Sequence, residues 1–380
     1  MPKSGQFLYA FGMTDPRYTA LVATLPSTVP FVGPETQERT RGAPFAARLG
    51  ANENVFGPSP RAIAAMKRAV AGVWQYGDPE NFDLKQALAA HYGIAAENVV
   101  VGEGIDGLLG YLVRLLVSPG DKVVTSRGAY PTFSYHVAGY GGELVTVPYR
   151  GDYEDPVALI EAAAEADAKL IYIANPDNPM GTHQPGSVME AMIAAVPEGA
   201  LLVLDEAYLE FAPADTAPPL DVANKRVIRL RTFSKAYGMA GARIGYALGE
   251  AGLIGAFDKV RNHFGVNRLA QAGALEALAD QRYLEQTVAN VAEARSRLET
   301  IATENGLTVV PSAANFVAID CGQDGKFARR VLDGLIARGV FVRMPLVAPQ
   351  DRCIRVSAGT PELVELFAAA LPDALKEATE

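Results

Sequence analysis

From about Asn98 onward, short apolar runs recur at regular intervals. They fall at Val99–Val101, Lys122–Thr125, Leu144–Val147, Leu170–Ile173, Leu201–Leu204, Val227–Leu230 and Ile244–Leu248. Segments of helical period, such as Leu108–Val117, Pro156–Ala164 and Ser187–Ala195, stand between several of them. Runs that are apolar at every position suit strands buried on both faces. Their alternation with helices predicts an α/β region, with a mostly parallel seven-stranded sheet between helices. Upstream, Ser59-Pro60 opens a helix, with Ser as N-cap and Pro at the first helical position; a second helix covers Phe82–Tyr92.

After about Gly252 the pattern changes. Helical spacing runs from Leu253 to about Asn305. Strand-like pieces follow at Thr308–Val310 into Asn315–Ile319, at Val340–Arg343 and at Cys353–Val356, with a helix between the first two. Thr360-Pro361 repeats the N-cap and proline signal and starts the last helix. The expected organisation is a large domain over residues 51–255 and a smaller C-terminal α+β domain over 256–380. Residues 1–50, rich in proline and glycine, read as an irregular arm that packs on the small domain or on a partner chain.

Composition narrows the function. The 380 residues include 49% hydrophobic and 20% charged, so a large core needs no covalent staples. A net charge of -9 with no basic block argues against nucleic acid or an anionic membrane as partner. Two cysteines, Cys321 and Cys353, and four scattered histidines give neither a disulfide framework nor metal-ligand spacing, so no metal is expected. The start lacks a secretory leader, and no run reaches the length of a membrane span, so a cytoplasmic protein is expected.

Gly102-Glu103-Gly104-Ile105-Asp106-Gly107 matches the G-x-G-x-x-G pattern of dinucleotide sites. That reading needs an acid at the end of the next strand, but Val124-Thr125-Ser126-Arg127 carries none. What remains is a glycine-rich turn feeding a helix N-terminus, which suits a phosphate as well as it suits a plain tight turn.

Three segments at successive strand ends carry chemistry. Thr232-Phe233-Ser234-Lys235 leads to Arg243, placing a reactive amine among hydroxyls and a fixed cation. Asp205, at the end of Leu201–Leu204, could hold a protonated ring nitrogen, and Tyr208 could donate to a ring oxygen. Asn175-Pro176-Asp177-Asn178-Pro179-Met180-Gly181 fixes a turn that aims an amide. Alone, these segments read equally as a loop, an N-cap and a structural turn. Together they match what pyridoxal phosphate needs: an amine, an acid, a phenolate donor and a phosphate site.

The stretch around Lys235 resembles the attachment segment of class-II aminotransferases, within the fold-type I pyridoxal-phosphate enzymes. Ala51-Asn52-Glu53-Asn54-Val55-Phe56-Gly57-Pro58-Ser59-Pro60 resembles the opening motif of histidinol-phosphate aminotransferases, and Arg355-Val356-Ser357-Ala358-Gly359-Thr360 their closing one. The resemblance covers about Leu49 to Thr360. It implies that Lys235 bonds to the cofactor aldehyde, that Asp205 pairs with the pyridinium, and that Tyr208 and Asn178 contact the phenolic oxygen. Thr232, Ser234, Arg243 and the backbone around Ile105 and Asp106 would hold the phosphate. Phe133 would stack on the cofactor ring. Tyr76 would reach the phosphate of a partner subunit, which implies a homodimer with shared sites. Arg355 would hold the substrate's anionic end, with Arg343 as a second anion contact.

Some positions depart from that pattern. Met180 replaces Thr, Asp177 replaces Asn, Phe133 replaces Tyr, Val55 replaces Pro, and Ile105 and Gly107 stand where a small residue and an acid are usual. The implied reaction is amino transfer from histidinol phosphate to a 2-oxo acid, with Lys235 as proton carrier. Phe7, Tyr9, Phe11 and Phe31 read either as the wall of a ring pocket, which favours an aromatic amino-acid aminotransferase, or as packing. A decarboxylase of a phosphorylated amino acid and a non-catalytic cofactor-binding sensor share the same scaffold.

Overall fold

A computed structural model describes residues 18–26 and 32–380. Phe7, Tyr9, Phe11 and Phe31 lie outside the described residues. All seven expected strands form one sheet. Its members are β2 (Val99–Gly102), β3 (Lys122–Ser126), β4 (Glu143–Val147), β5 (Leu170–Ala174), β6 (Leu201–Asp205), β7 (Val227–Thr232) and β8 (Gly245–Leu248). They follow a short β1 (Ala47–Arg48) and lie in the order β2-β8-β7-β6-β5-β3-β4. Only β8 runs against its neighbours, pairing antiparallel with both β2 and β7. Every residue of β5 and β6 is buried, as their unbroken apolar sequence requires. Helices cover both faces: Leu108, Leu109 and Leu112 pack on one side, Leu159, Met189 and Met192 on the other.

The C-terminal part builds a three-stranded antiparallel sheet from β9 (Thr308–Val310), β10 (Phe316–Asp320) and β12 (Cys353–Ser357), with β10 central. β11 (Val340–Phe341) stands apart from it and pairs in parallel with β1. That pairing draws Ala47 and Leu49 into the core around Leu298, Val331, Leu335 and Phe367.

Ser59 caps the helix Pro60–Ala69 as expected, its Oγ accepting from the Ala62 N–H at 3.2 Å. Residues 34–50 are less irregular than their composition suggested. Pro34 stands in the first turn of a helix, Pro34–Arg41, and Gly42 closes it in the left-handed region, φ 70°. Proline and glycine here bound a helix rather than prevent one. The helix Pro131–Gly139 also went unread, because Pro131 opens it and its burial follows no strong period. Among the described residues, no helix is long and apolar enough to cross a membrane.

Candidate active site

In parallel sheets the carboxyl ends of the strands leave an open crevice. Asp205 ends β6, Asn178 follows β5, and Thr232, Ser234 and Lys235 end or follow β7. The reversed strand β8 begins at that same edge, so Arg243, two residues before it, arrives there too. These residues, with Ile105, Asp106, Tyr130, Tyr172 and Tyr208, line a chamber of about 230 Å³.

Asp205 forms its floor and is 4% exposed. The Tyr172 hydroxyl donates to Oδ2 at 2.8 Å and the Ala207 N–H to Oδ1 at 3.0 Å. Burial pushes this carboxyl up to about 6, against the pull of those two bonds. Tyr208 receives the amides of Asn52 at 3.0 Å and Asn178 at 3.4 Å on its hydroxyl. The Lys235 Nζ lies 5.3 Å from the Tyr208 ring centre and donates to the Asn52 carbonyl at 3.2 Å.

At the other end Arg243 adopts φ 55°, which turns it back toward the start of the helix Gly104–Leu116. Its Nη2 lies 3.3 Å from Asp106 Oδ2, and Tyr130 donates to Asp106 Oδ1 at 2.7 Å. Gly104 is favoured there by its backbone, and a Cβ would also make the end of the Arg243 side chain shift. The glycine's φ is 79°, and a Cβ would stand 2.8 Å from Arg243 Nη2. Thr232 Oγ1 accepts from the Ser234 N–H at 3.0 Å, which fixes the turn before Lys235.

A wider cleft of about 830 Å³ adjoins the chamber and shares Asp106, Tyr130, Asn178 and Lys235 with it. Arg355 and Arg343 line this cleft. Their backbones form an antiparallel bridge, which sets two cations side by side. Arg355 Nη1 donates to Asn178 Oδ1 at 2.6 Å, but its buried Nε has no partner among the described residues. Burial lowers the Arg355 pKa to about 10. An anion entering the cleft would relieve both conditions.

Phe133 and Tyr76 do not line the chamber; for Tyr76 this is the expectation, since the resemblance places its role in a partner subunit. Phe133 does not reach the cavity: it is fully buried and stacked on Tyr172, ring centres 4.6 Å apart. The helix that begins at Pro131 turns its side chain onto the sheet, and Tyr130, just before that helix, supplies the aromatic wall instead. Tyr76 does not line its own chain's chamber; it is 77% exposed and packs on Phe264 at 4.8 Å. Met180 is buried against Val310, Ala318 and Cys353, so its departure from the family pattern is a matter of packing. Asn52, Tyr130 and Tyr172 were missed as site residues. Asn52 sits inside the opening motif and could have been singled out; Tyr172 is masked in sequence by the apolar strand around it.

The donor set fits a phosphorylated pyridine aldehyde. An acid stands where a ring cation would lie, a phenol and an amide where a ring oxygen would lie, and a cation with a helix N-terminus where a phosphate would lie. The family model "Aminotransferase class I and II" matches residues 47–371. The chain belongs to this family. Among class I and II aminotransferases it is 38% identical to histidinol-phosphate aminotransferase 2 of Carboxydothermus hydrogenoformans, over 86% of this chain and 90% of that one. It is also 38% identical to the histidinol-phosphate aminotransferase of Symbiobacterium thermophilum, over 90% of this chain and 94% of that one. The solved structure of histidinol-phosphate aminotransferase from Sinorhizobium meliloti, in complex with pyridoxal-5'-phosphate, superposes with a TM-score of 0.93. That match has 53% identity and covers 95% of this chain and 98% of the other.

Proposed function

We propose that this aminotransferase uses pyridoxal phosphate to move the amino group of histidinol phosphate to a 2-oxo acid. The observation that carries the reading is the position of the Lys235 amine. It stands where the two cavities meet, between the Asp205 floor and the Arg343–Arg355 pair. Pyridoxal phosphate, when bound, supplies the electron sink for the carbanion at the substrate Cα. Asp205 holds the proton on the ring nitrogen. Tyr208 and Asn178 orient the ring through its phenolic oxygen. Thr232, Ser234, Arg243 and the N–H groups around Ile105 and Asp106 take the phosphate. Lys235 would bond the cofactor aldehyde and, once free, its amine would take up and return the proton at the substrate Cα. Arg355 and Arg343 take the substrate phosphate.

Acidification weakens cofactor capture. Asp205 is ionised above about 6 and protonated below it, and the bound ring cation needs the carboxylate. Equilibrium dialysis of the cofactor-free protein should show affinity falling about tenfold per pH unit below about 6 from this group. A flat profile between pH 5 and 8 removes Asp205 from the ring nitrogen.

A donor series with 2-oxoglutarate tests the substrate. Histidinol phosphate should exceed histidinol, His, Phe and Tyr in kcat/KM by about a hundredfold or more, because the buried Arg355 Nε, which has no partner among the described residues, stays unanswered without the phosphate. Arg355→Ala should erase most of that margin. A margin favouring Phe or Tyr would point to an aromatic amino-acid aminotransferase. Carbon dioxide release without any oxo acid would point to the decarboxylase.

A homodimer completes this reading. Val73, Trp74, Tyr76, Phe82 and Phe264 are all more than half exposed, more apolar surface than one stretch of a monomer usually shows. Tyr76 from one subunit would then reach the phosphate in the other. Both cysteines are free thiols, buried and unpaired, which supports a reducing cytosol as the place of work.

A further inference from the structure

The turn that aims Asn178 is held from outside the two cavities. The Asp177 N–H donates to the Thr182 carbonyl at 2.8 Å and the Gly181 N–H to the Asp177 carbonyl at 3.1 Å, which closes the turn on itself. Thr182 Oγ1 then donates to the Asp152 carbonyl at 2.9 Å, and Gln184 Nε2 to the Glu154 carbonyl at 2.9 Å. The segment after β5 is thus bound to the segment after β4. Arg352 takes the Asp152 side chain in turn, its Nη2 lying 2.9 Å from each carboxylate oxygen. The Arg352 Nε donates to Asp320 Oδ2 at 2.7 Å, and Gln350 Nε2 donates to the Gly151 carbonyl at 3.1 Å.

Arg352 stands one residue before β12, and Asp320 ends β10, while Asp152 belongs to the loop after β4. One guanidinium therefore joins a carboxylate of the three-stranded sheet to a carboxylate beside the seven-stranded sheet. The same two parts meet again in the cleft, where Arg355 of β12 donates to Asn178 Oδ1 at 2.6 Å. The side chains of Arg352, Asp152 and Asp320 are only about a quarter exposed, so solvent screens this arrangement less than an ordinary surface pair.

We propose that Arg352 and Asp152 form a latch that sets the distance between the Arg343–Arg355 pair and the Lys235 amine, so that a donor anchored at both ends is held at reacting length. The inference rests on the reading of Arg355 as the anion holder. Arg352 and Asp152 are positioning residues, since neither lines the chamber or the cleft. A donor has its anion on the arginine pair and its amine at Lys235, so it spans both parts of the chain and senses their spacing. A free anion rests on the arginine pair alone and does not. A misplacement of about 1 Å costs about a hundredfold in rate. The Ala313 N–H still donates to the Gly181 carbonyl at 2.7 Å when the latch is open, which limits the shift.

The test compares cofactor-loaded wild type with Asp152→Asn, Arg352→Gln and the double variant, using whichever donor of the series above serves the wild type best. Each single variant should lower kcat/KM roughly tenfold, and the double variant no further, because either substitution already opens the latch. Inorganic phosphate, as a competitive inhibitor, should keep the same inhibition constant in all of them. Unchanged kcat/KM in both single variants overturns the proposal, and so do losses that multiply in the double variant. Phosphate affinity lost in parallel with kcat/KM also overturns it, since the damage would then lie in the arginine pair rather than in the spacing. If these variants do not fold, Arg352→Lys decides. Its single ammonium keeps a cation for Asp320 but lacks the fork that holds two carboxylates, and wild-type kcat/KM there overturns the latch. Phosphate that fails to compete with the donor in the wild type would remove the arginine pair as the anion holder. That is a separate failure, and the double-variant comparison still decides the latch.

Discussion

Lys235→Ala should abolish amino transfer, lowering kcat by roughly four orders of magnitude or more, since the bond to the cofactor and the proton carrier are lost together. The same variant should fold. The Asn52 carbonyl that accepts from Lys235 also accepts the Asn315 amide at 3.0 Å, so it is not orphaned. Lys235 otherwise makes one loose contact over the Tyr208 ring. An unfolding midpoint close to that of the wild type, with borohydride no longer fixing cofactor to the chain, is the expected pair of results. Label retained after reduction would place the attachment at another amine and undo the assignment of both cavities.

Asp205→Ala should act in a different way. A buried cation left without its partner costs roughly 3–5 kcal/mol. That cost should divide between cofactor affinity, read by titrating the cofactor-free protein, and turnover, read at saturating cofactor. The empty protein should lose about 1–3 kcal/mol of stability, because the Tyr172 hydroxyl and the Ala207 N–H lose their acceptor, offset in part by relief of a carboxyl that burial pushes up to about 6. Asp205→Asn separates the two roles. Its amide oxygen can still accept from the Ala207 N–H, which is 3.0 Å from Oδ1 in the wild type, but it offers no charge. Affinity should then recover further than turnover. Equal turnover in the wild type and the alanine variant would exclude Asp205 from the ring nitrogen.

The large sheet was legible because burial on both faces leaves little choice of residue. Val99–Val101, Leu170–Ile173 and Leu201–Leu204 are apolar at every position, and the strands extend each by only one residue. The strand ends were legible for the complementary reason. Where β6 emerges from the core, the first polar residue is Asp205, and it lines the chamber. What the sequence did not reveal depends on direction rather than composition. Phe133 and Tyr130 are three residues apart, and only the start of the helix at Pro131 decides which ring meets the cavity. Tyr172 looks like core and is core, except for one hydroxyl that reaches Asp205.

The reversed strand β8 has a consequence for how the protein is made. It is inserted between β2 and β7, and its partner Gly102 precedes Gly245 by 143 positions. Arg243 and the turn at Gly104 therefore meet only after about two thirds of the polypeptide has been synthesised, and contacts so distant in sequence form slowly. A nascent chain halted before residue 243 would carry Asp205 and Lys235 and still lack the arginine proposed to take the cofactor phosphate. On that assignment, capture of the phosphate should follow closure of the sheet rather than precede it.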